Sequence, residues 1–600
     1  MLKRTLSIAA LLFAAVVNAQ EGMWLLDAIK KVNESDMQSM GCKLTAEQIY
    51  DVNNSSMKDG VVRLGGGFCS GEMVSSDGLF LTNHHCGYDA IQSIYEAEHV
   101  YLTDGFWAMT REQGAPAEFY VSFLQLIENV TDRVLGKVND DMPEAERRAA
   151  IRKYGQELEK EFETDKNISA DFKSMYDGNE YYIYIYKDYH DVRLVGAPPS
   201  SLGKFGGDTD NWMWPRHTCD FSMFRVYTAP NGDPAEFSKE NVPFKPKWWF
   251  PISLSGVEQD DFSMVMGCPG RTNRFLCSDG VNMELTISQP SVVKIRTELL
   301  SLMKQDMDAS AAVRIKYASK YASIANYWKY FIGQQRGLKR LHVYDKKVAI
   351  EGDLSKWIAS DPERQKKYGQ YRDLLRQGYA ERSKYQKGAT YMNEAAFGSE
   401  AMDMSFNLVG LKAALEAKPV DQAAVDKAVA DVREAMPGFY KDYNAATDQK
   451  ITAAMFRLIH TDVEADLQPT VMAEIEKKFK GDYDAWAAEL FKTSLVTDST
   501  KLSAFLRKPS LKVLQKDMAL HTMESCVDMA RNGISAKIQA AQPNIDKGYR
   551  LMLAAMRERE PNRKWYPNAN STIRLSYGKV GDYKPGDAMH YDYVTTADGI

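Results

Sequence analysis

Two cysteines bracket the stretch that most constrains this chain. Gly65-Gly66-Gly67-Phe68-Cys69 opens a short apolar segment, Ser76-Asp77-Gly78 makes a turn, and Leu79-Phe80-Leu81-Thr82 leads into Asn83-His84-His85-Cys86. A Gly-containing turn between two apolar runs predicts a β-hairpin. Cys69 and Cys86, 17 positions apart, then face each other across the hairpin and are placed to form a disulfide. Such a bridge pins His85 at a strand end, where a neutral imidazole can act as a base. Adjacent histidines on an extended chain point opposite ways. That gives His84 a structural role and argues against a metal centre of His84, His85, Cys86 and Asp89. The plain alternative for His85 is a strand-end histidine that only packs.

A base of this kind needs a carboxylate to hold its tautomer and stabilise the imidazolium. Asp220 opens an apolar-basic strand, Asp220-Phe221-Ser222-Met223-Phe224-Arg225-Val226-Tyr227, and is the candidate; Asp89, Asp208 and Asp210 compete with it. Just before it, a loop from Ala197 to Thr218 is dense in Gly, Asp, Trp and Arg. Loops this long and this rich are commonly functional. The third partner, a serine within Gly-Asp-Ser-Gly or Gly-Asn-Ser-Gly, occurs nowhere: Cys69 precedes Ser70-Gly71, and Leu254 precedes Ser255-Gly256. Either the chain is an inactive relative of an enzyme, or the serine lies beyond residue 600. The second is the expectation, because β-type patterning has only just resumed at Ile600.

A chain of 600 residues is too long for one core. Residues 1–19 read as a signal peptide: Lys3 and Arg4, an apolar run from Ile8 to Val17, and Val17-Asn18-Ala19 before cleavage at Gln20. Export to the periplasm or cell surface follows, with no membrane span once the leader is removed. Seven cysteines make an odd set for an oxidising compartment; Cys268 and Cys277 are near enough in sequence to pair. A net charge of -6 without long single-sign runs excludes a nucleic-acid footprint.

Residues 20–279 carry β signals. These are short strands to residue 83, strands around Phe119 to Leu126, alternation from 181 to 196, and more strand from 248 to 270. Residues 21–53, 88–96 and the charged stretch 143–175 read as helical excursions. From 280 to 567 the period becomes 3.6, with helices predicted at Glu298–Met307, Ala311–Tyr330, Arg364–Gln386, Ala423–Met436, Lys450–Leu467, Asp482–Thr493 and Ile534–Arg557. β patterning returns over 568–600, at Thr572–Val580 and Tyr591–Val594. The expected class is α+β: a β domain interrupted by a large all-helical insertion.

Several motifs together resemble the bacterial exported dipeptidyl-peptidase 7 and 11 family of serine peptidases, nearer the dipeptidyl-peptidase 7 type. They are Glu21-Gly22-Met23-Trp24-Leu25-Leu26, Thr82-Asn83-His84-His85-Cys86-Gly87-Tyr88, Asp191 to Ser201, the Gly203-to-Thr218 loop, and Lys316-Tyr317-Ala318-Ser319-Lys320-Tyr321. The resemblance implies a chymotrypsin-like double β-barrel with a helical cap over the cleft, and release of dipeptides from oligopeptides with free N-termini. It implies that Asn211, Trp212 and Asn326 grip the substrate's α-ammonium, that no metal or organic cofactor is needed, and that the chain is a homodimer. The serine, an acidic ammonium anchor and the residue setting apolar or acidic preference would lie past Ile600. Phe68, Cys219 and Cys268 depart from the family pattern. Two rivals remain open: a catalytically inactive peptide-binding protein on the same scaffold, and an endopeptidase.

Overall fold

The computed structural model describes residues 21–96 and 99–600; the leader at 1–19 lies outside the described residues. After short helices between Leu26 and Ile49, the chain forms β1 (Val61–Leu64), β2 (Cys69–Met73) and β3 (Leu79–Thr82). Gly65, Gly66 and Gly67 all hold positive φ in the β1–β2 turn, which is why a glycine run stands there. The predicted hairpin is present: Glu72 lies opposite Leu81 and Met73 opposite Phe80.

Helix α1 (Tyr88–Ser93) follows, then β4 (Val121–Asn129), α2 (Glu144–Phe162), β5 (Ile168–Met175), β6 (Glu180–Tyr189), β7 (Asp191–Ala197) and β8 (Ser222–Thr228). With the short pieces Phe106–Trp107, Ala115–Pro116 and Val242–Pro243, they form one antiparallel eleven-stranded sheet, its main path β7-β8-β3-β2-β1-β4-β6-β5. The apolar positions of these strands meet in one core. Phe80 stacks on Phe224 at 5.6 Å, with Val62, Leu64, Val121, Leu194 and Val226 around them.

Two expectations fail here. The helical excursion of 143–175 stops at Phe162, and Ile168–Met175 is an edge strand paired with β6. Its outer face is covered by α2, where Gly155 lets Phe172 approach the helix backbone. Of the strand expected over 248–270, only β9 (Phe262–Gly267) forms.

From Ser278 to Arg559 the ordered elements are helices, longer at most ends than predicted. Helices α3 (Gln289–Ala309) and α4 (Ala311–Arg340) are joined through Ser310, whose hydroxyl caps α4 at Val313 N. Helices α5 (Tyr371–Tyr391), α6 (Glu400–Glu416) and α7 (Ala445–Asp462) pack around buried Leu408, Met455, Phe456 and Trp486. After α8 (Ala536–Arg559), β10 (Arg574–Lys579) pairs with β9 in register Phe262↔Lys579 to Gly267↔Arg574. Strands some 300 residues apart in sequence thus close over the helical insertion, and the architecture is α+β. Tyr591–Val594 is not a strand; Tyr591 makes one isolated bridge to Tyr583. Among the described residues no helix is long and apolar enough to cross a membrane.

Candidate active site

The end of β3 sets the site. Gly87 N closes a tight turn on Asn83 O and His84 O, and α1 starts immediately after. The two histidines diverge, but within a turn over residues 84–86 rather than on an extended strand, since β3 ends at Thr82. His85 is exposed and turns its Nδ1 to Asp220 Oδ2 at 2.8 Å, while its backbone N–H donates to Asp220 Oδ1 at 3.0 Å. Asn83 Nδ2 adds a third donor to Asp220 at 3.3 Å. Burial of Asp220 works against its charge. The hydrogen bonds from His85, the imidazole's charge and the Arg216 guanidinium outweigh that and hold the carboxyl below its ordinary range. With Nδ1 held by a carboxylate, Nε2 is the nitrogen left to exchange a proton.

Asp220 is positioned by β8, which pairs with β3 at Ser222↔Thr82. The Ser222 hydroxyl donates to Asn83 O at 2.8 Å, so His85 and Asp220 flank the paired ends of hydrogen-bonded neighbouring strands. His84 is buried, its Nε2 3.1 Å from Pro198 O and its ring edge-on to Tyr88. Burial pushes its pKa down and keeps it neutral. The Cys69 and Cys86 sulfurs lie at bonding distance, with Cα atoms 6.2 Å apart. They and His85 place ligand atoms within 4.8 Å of one another, but sulfurs spent on each other are not metal ligands. Cys42, Cys219, Cys268, Cys277 and Cys526 are unpaired, so Cys268 and Cys277 do not pair.

A cleft of about 480 Å3 lies beside this pair, and Asn211, Trp212 and Asn326 line it as well. The loop supplies the first two and α4 the third. Asn211 Nδ2 donates to Asn326 Oδ1 at 2.9 Å, and Trp212 Nε1 donates to Asn326 O at 3.1 Å. Trp212 holds φ at +60°, a region bulky residues rarely adopt. Its bond to Asn326 and its ring contact with Tyr330 at 5.3 Å hold it there. One turn along α4, Lys329 Nζ donates to the carbonyls of Asp208 and Thr209. Two turns back along the same face, the Ser319 hydroxyl donates to Asp89 Oδ1.

The other face of α4 is fixed to the helical core. Lys320 and Tyr317 both bond Glu400, and Lys316 donates to Tyr443 O at 2.9 Å. Arg296 grips Glu394 with two bonds and donates to Ile324 O at 3.2 Å, two residues before Asn326.

The sequence reading brought together His85, Asp220, Asn211, Trp212 and Asn326, and all five line one cleft. It missed Arg216, whose Nη1 donates to Asn211 Oδ1 at 3.3 Å while its charge acts on Asp220. It also missed Lys329 and Asp89 as links between loop, α1 and α4. Arg216 lay in the Gly203-to-Thr218 loop and Asp89 four residues past His85, while Lys329 lay within the predicted helix Ala311–Tyr330 with no signal of its own. Of the departing residues, Cys219 is exposed next to Asp220, Cys268 is buried with its thiol pushed up to about 11 by that burial, and Phe68 lies edge-on to Phe119.

Known proteins carry the same plan. The chain is 39% identical over 607 residues to dipeptidyl-peptidase 7 of Porphyromonas gingivalis, covering 100% of this chain and 83% of that protein. It is 36% identical over 600 residues to the Asp/Glu-specific dipeptidyl-peptidase of Flavobacterium psychrophilum, covering 99% and 83%. The crystal structure of Porphyromonas endodontalis DPP11 in complex with the dipeptide Arg-Asp superposes with a TM-score of 0.86 at 29% identity, over 96% of this chain and 83% of that one. The family model described as Peptidase S46 matches residues 19–600, and the chain belongs to the peptidase S46 family.

Proposed function

We propose that this chain is an exported serine dipeptidyl peptidase that releases dipeptides from free N-termini. One observation carries the reading: the His85–Asp220 pair lines the same cleft as Asn211, Trp212 and Asn326, and Lys329 and Tyr330 tie the loop to α4 just past Asn326. Amide oxygens and an indole face suit an ammonium group. An ammonium held at that clamp sets how many residues lie between it and the scissile bond.

In this proposal His85 Nε2 takes the proton of a serine hydroxyl as the serine oxygen attacks the peptide carbonyl. It then gives the proton to the departing amine, and water releases the dipeptide by the same path in reverse. Asp220 keeps the imidazole in the tautomer that leaves Nε2 free and stabilises its cationic form. No Gly-x-Ser-Gly occurs in residues 1–600, so the proposal places the serine outside them. The Cys69–Cys86 disulfide, export past the proposed leader, action without a cofactor and a homodimeric state belong to the same reading.

The test uses the full reading frame on dipeptidyl fluorogenic substrates with free and acetylated N-termini, with apolar and acidic residues before the scissile bond and His85→Ala as control. Hydrolysis restricted to free N-termini and lost in His85→Ala is the expected result. Equal cleavage of the acetylated set would favour an endopeptidase. Absence of cleavage with free-N-terminal peptides still bound would favour a peptide-binding protein.

A further inference from the structure

Resting on the dipeptidyl-peptidase reading above, we propose that Asp89 is a specificity determinant for the residue just after the scissile bond, favouring a basic side chain there. The argument uses α4 as a ruler. Ser319, Ser323, Asn326 and Lys329 recur every three or four residues, so they share one face of the helix, and the first three line the cleft. Asn326 is the last α4 residue lining the cleft; beyond it Lys329 bonds Asp208 O and Thr209 O and Tyr330 contacts Trp212, so the loop is tied to the helix there. A peptide held by its ammonium at Asn326 extends in the other direction, toward Ser319.

Distances along the helix then assign the positions. Ser319 precedes Asn326 by seven residues, about 10.5 Å of axis at about 1.5 Å per residue. An extended peptide advances about 3.3–3.6 Å per residue. Its first two residues take up about 7 Å, and the third runs from there to the level of Ser319. The side chain waiting at that level is Asp89, which accepts the Ser319 hydroxyl on Oδ1.

Asp89 lies in the first turn of α1, four residues after His85, on the segment that also carries the base. It is exposed, and among the described residues no lysine, arginine or histidine pairs with it. The neighbouring acids are engaged: Asp220 by His85, and Asp208 by Lys204 at 3.9 Å. Asp89 is thus an uncompensated carboxylate on the wall the leaving peptide passes. A third-residue Arg or Lys meets an opposite charge there, and a Glu or Asp a like one.

The experiment uses the full reading frame, wild type and Asp89→Asn, on tetrapeptides that differ only in a third residue of Arg, Gln or Glu. Dipeptide release is followed by mass spectrometry. The wild type is expected to prefer Arg over Glu by about two- to fivefold in kcat/KM, the range of an exposed ion pair. Asp89→Asn levels that ratio, and Asp89→Lys reverses it. A parallel series varying the first residue keeps its ratios in all three proteins. An Arg-to-Glu ratio that is unchanged by Asp89→Asn, or a change confined to the first-residue series, overturns the proposal. Calorimetric binding of the same peptides to His85→Ala separates the two readings. A third-residue preference in binding that follows Asp89, without cleavage by the wild type, would sustain the Asp89 assignment and sink the peptidase reading. Cleavage with no such preference would do the reverse.

Discussion

Gly203 is where the site should be most sensitive to a single methyl group. A Cβ at this position would stand 2.2 Å from His84 Cδ2 and 2.5 Å from His84 Cγ. Ordinary carbon contacts begin near 3.4 Å, so Gly203→Ala demands a shift of about 1.2 Å. The His84 ring has nowhere to go, being buried, bonded to Pro198 O and edge-on to Tyr88. The strain therefore reaches the backbone shared by His84 and His85 and moves the His85–Asp220 pair. Overpacking of this kind costs about 1–3 kcal/mol of stability, and a displacement of about 1 Å at a reacting group costs on the order of 100-fold in rate. The assay is kcat and KM on a free-N-terminal dipeptidyl substrate, with denaturant midpoints recorded beside them. We expect kcat to fall by about that factor with a smaller change in KM. Adding His84→Ala to Gly203→Ala should recover part of the loss by removing the ring. Wild-type kcat in Gly203→Ala, or no recovery in the double variant at equal stability, would refute the reasoning.

Three further outcomes follow from the geometry. Asp220→Asn keeps its amide oxygen on the His85 backbone N–H and so turns its NH2 toward His85 Nδ1, which favours the unproductive tautomer and should lower kcat by roughly 10^4 while folding is kept; circular dichroism and kcat measured together check this. Lys329→Met removes the donor to Asp208 O and Thr209 O and loosens the loop carrying Asn211 and Trp212. It should raise KM several-fold with little change in kcat, and Lys329→Arg should restore part of the affinity; a fall in kcat alone would contradict it. Asp448 caps α6 at Glu400 N and Ala401 N from a fully buried position. Burial first, and then the charge of Glu400, push its pKa up to about 7. A raised acid binds its proton more tightly folded than unfolded, so its contribution is full below about pH 4 and is lost as pH rises through about 7. Denaturant midpoints compared at pH 5.5 and 8 should show a larger drop for the wild type than for Asp448→Asn; equal drops would rule it out.

Local chemistry made much of this site legible. A cysteine, a Gly-containing turn and Leu79–Thr82 before His-Cys specify a hairpin, because strand periodicity and turn chemistry are properties of neighbours in sequence. The divergence of His84 and His85 was expected from a strand's period of two but arises in a turn past the end of β3, and the helical insertion was visible as a change of period near residue 280. Helix ends were placed short: residues 289–297 belong to a helix held by burial of Val292 and Ile295, and residues 331–340 continue α4 beyond its predicted end. Strand β5 was readable in part: Ile168, Ala170 and Phe172 alternate, but the charged helix before it masked them. Tyr591–Val594 has β propensity without a partner strand among the described residues, and an unpaired strand gains little from propensity.

What the sequence could not decide is which distant groups meet. Residue types and short spacings determined the hairpin and the helical interruption, since those depend on a few bonded neighbours, and left Asp89, Asp208 and Asp210 competing with Asp220 as the partner of His85. The tertiary structure decided that β9 finds β10 across some 300 residues, that Arg216 lends its charge to Asp220, and that Lys329 and Ser319 tie α4 to a loop and to α1. Apart from Arg216 and Asp220, which are four residues apart, those contacts join segments with no local relation, and only the packing of sheet and helices brings them within bonding range.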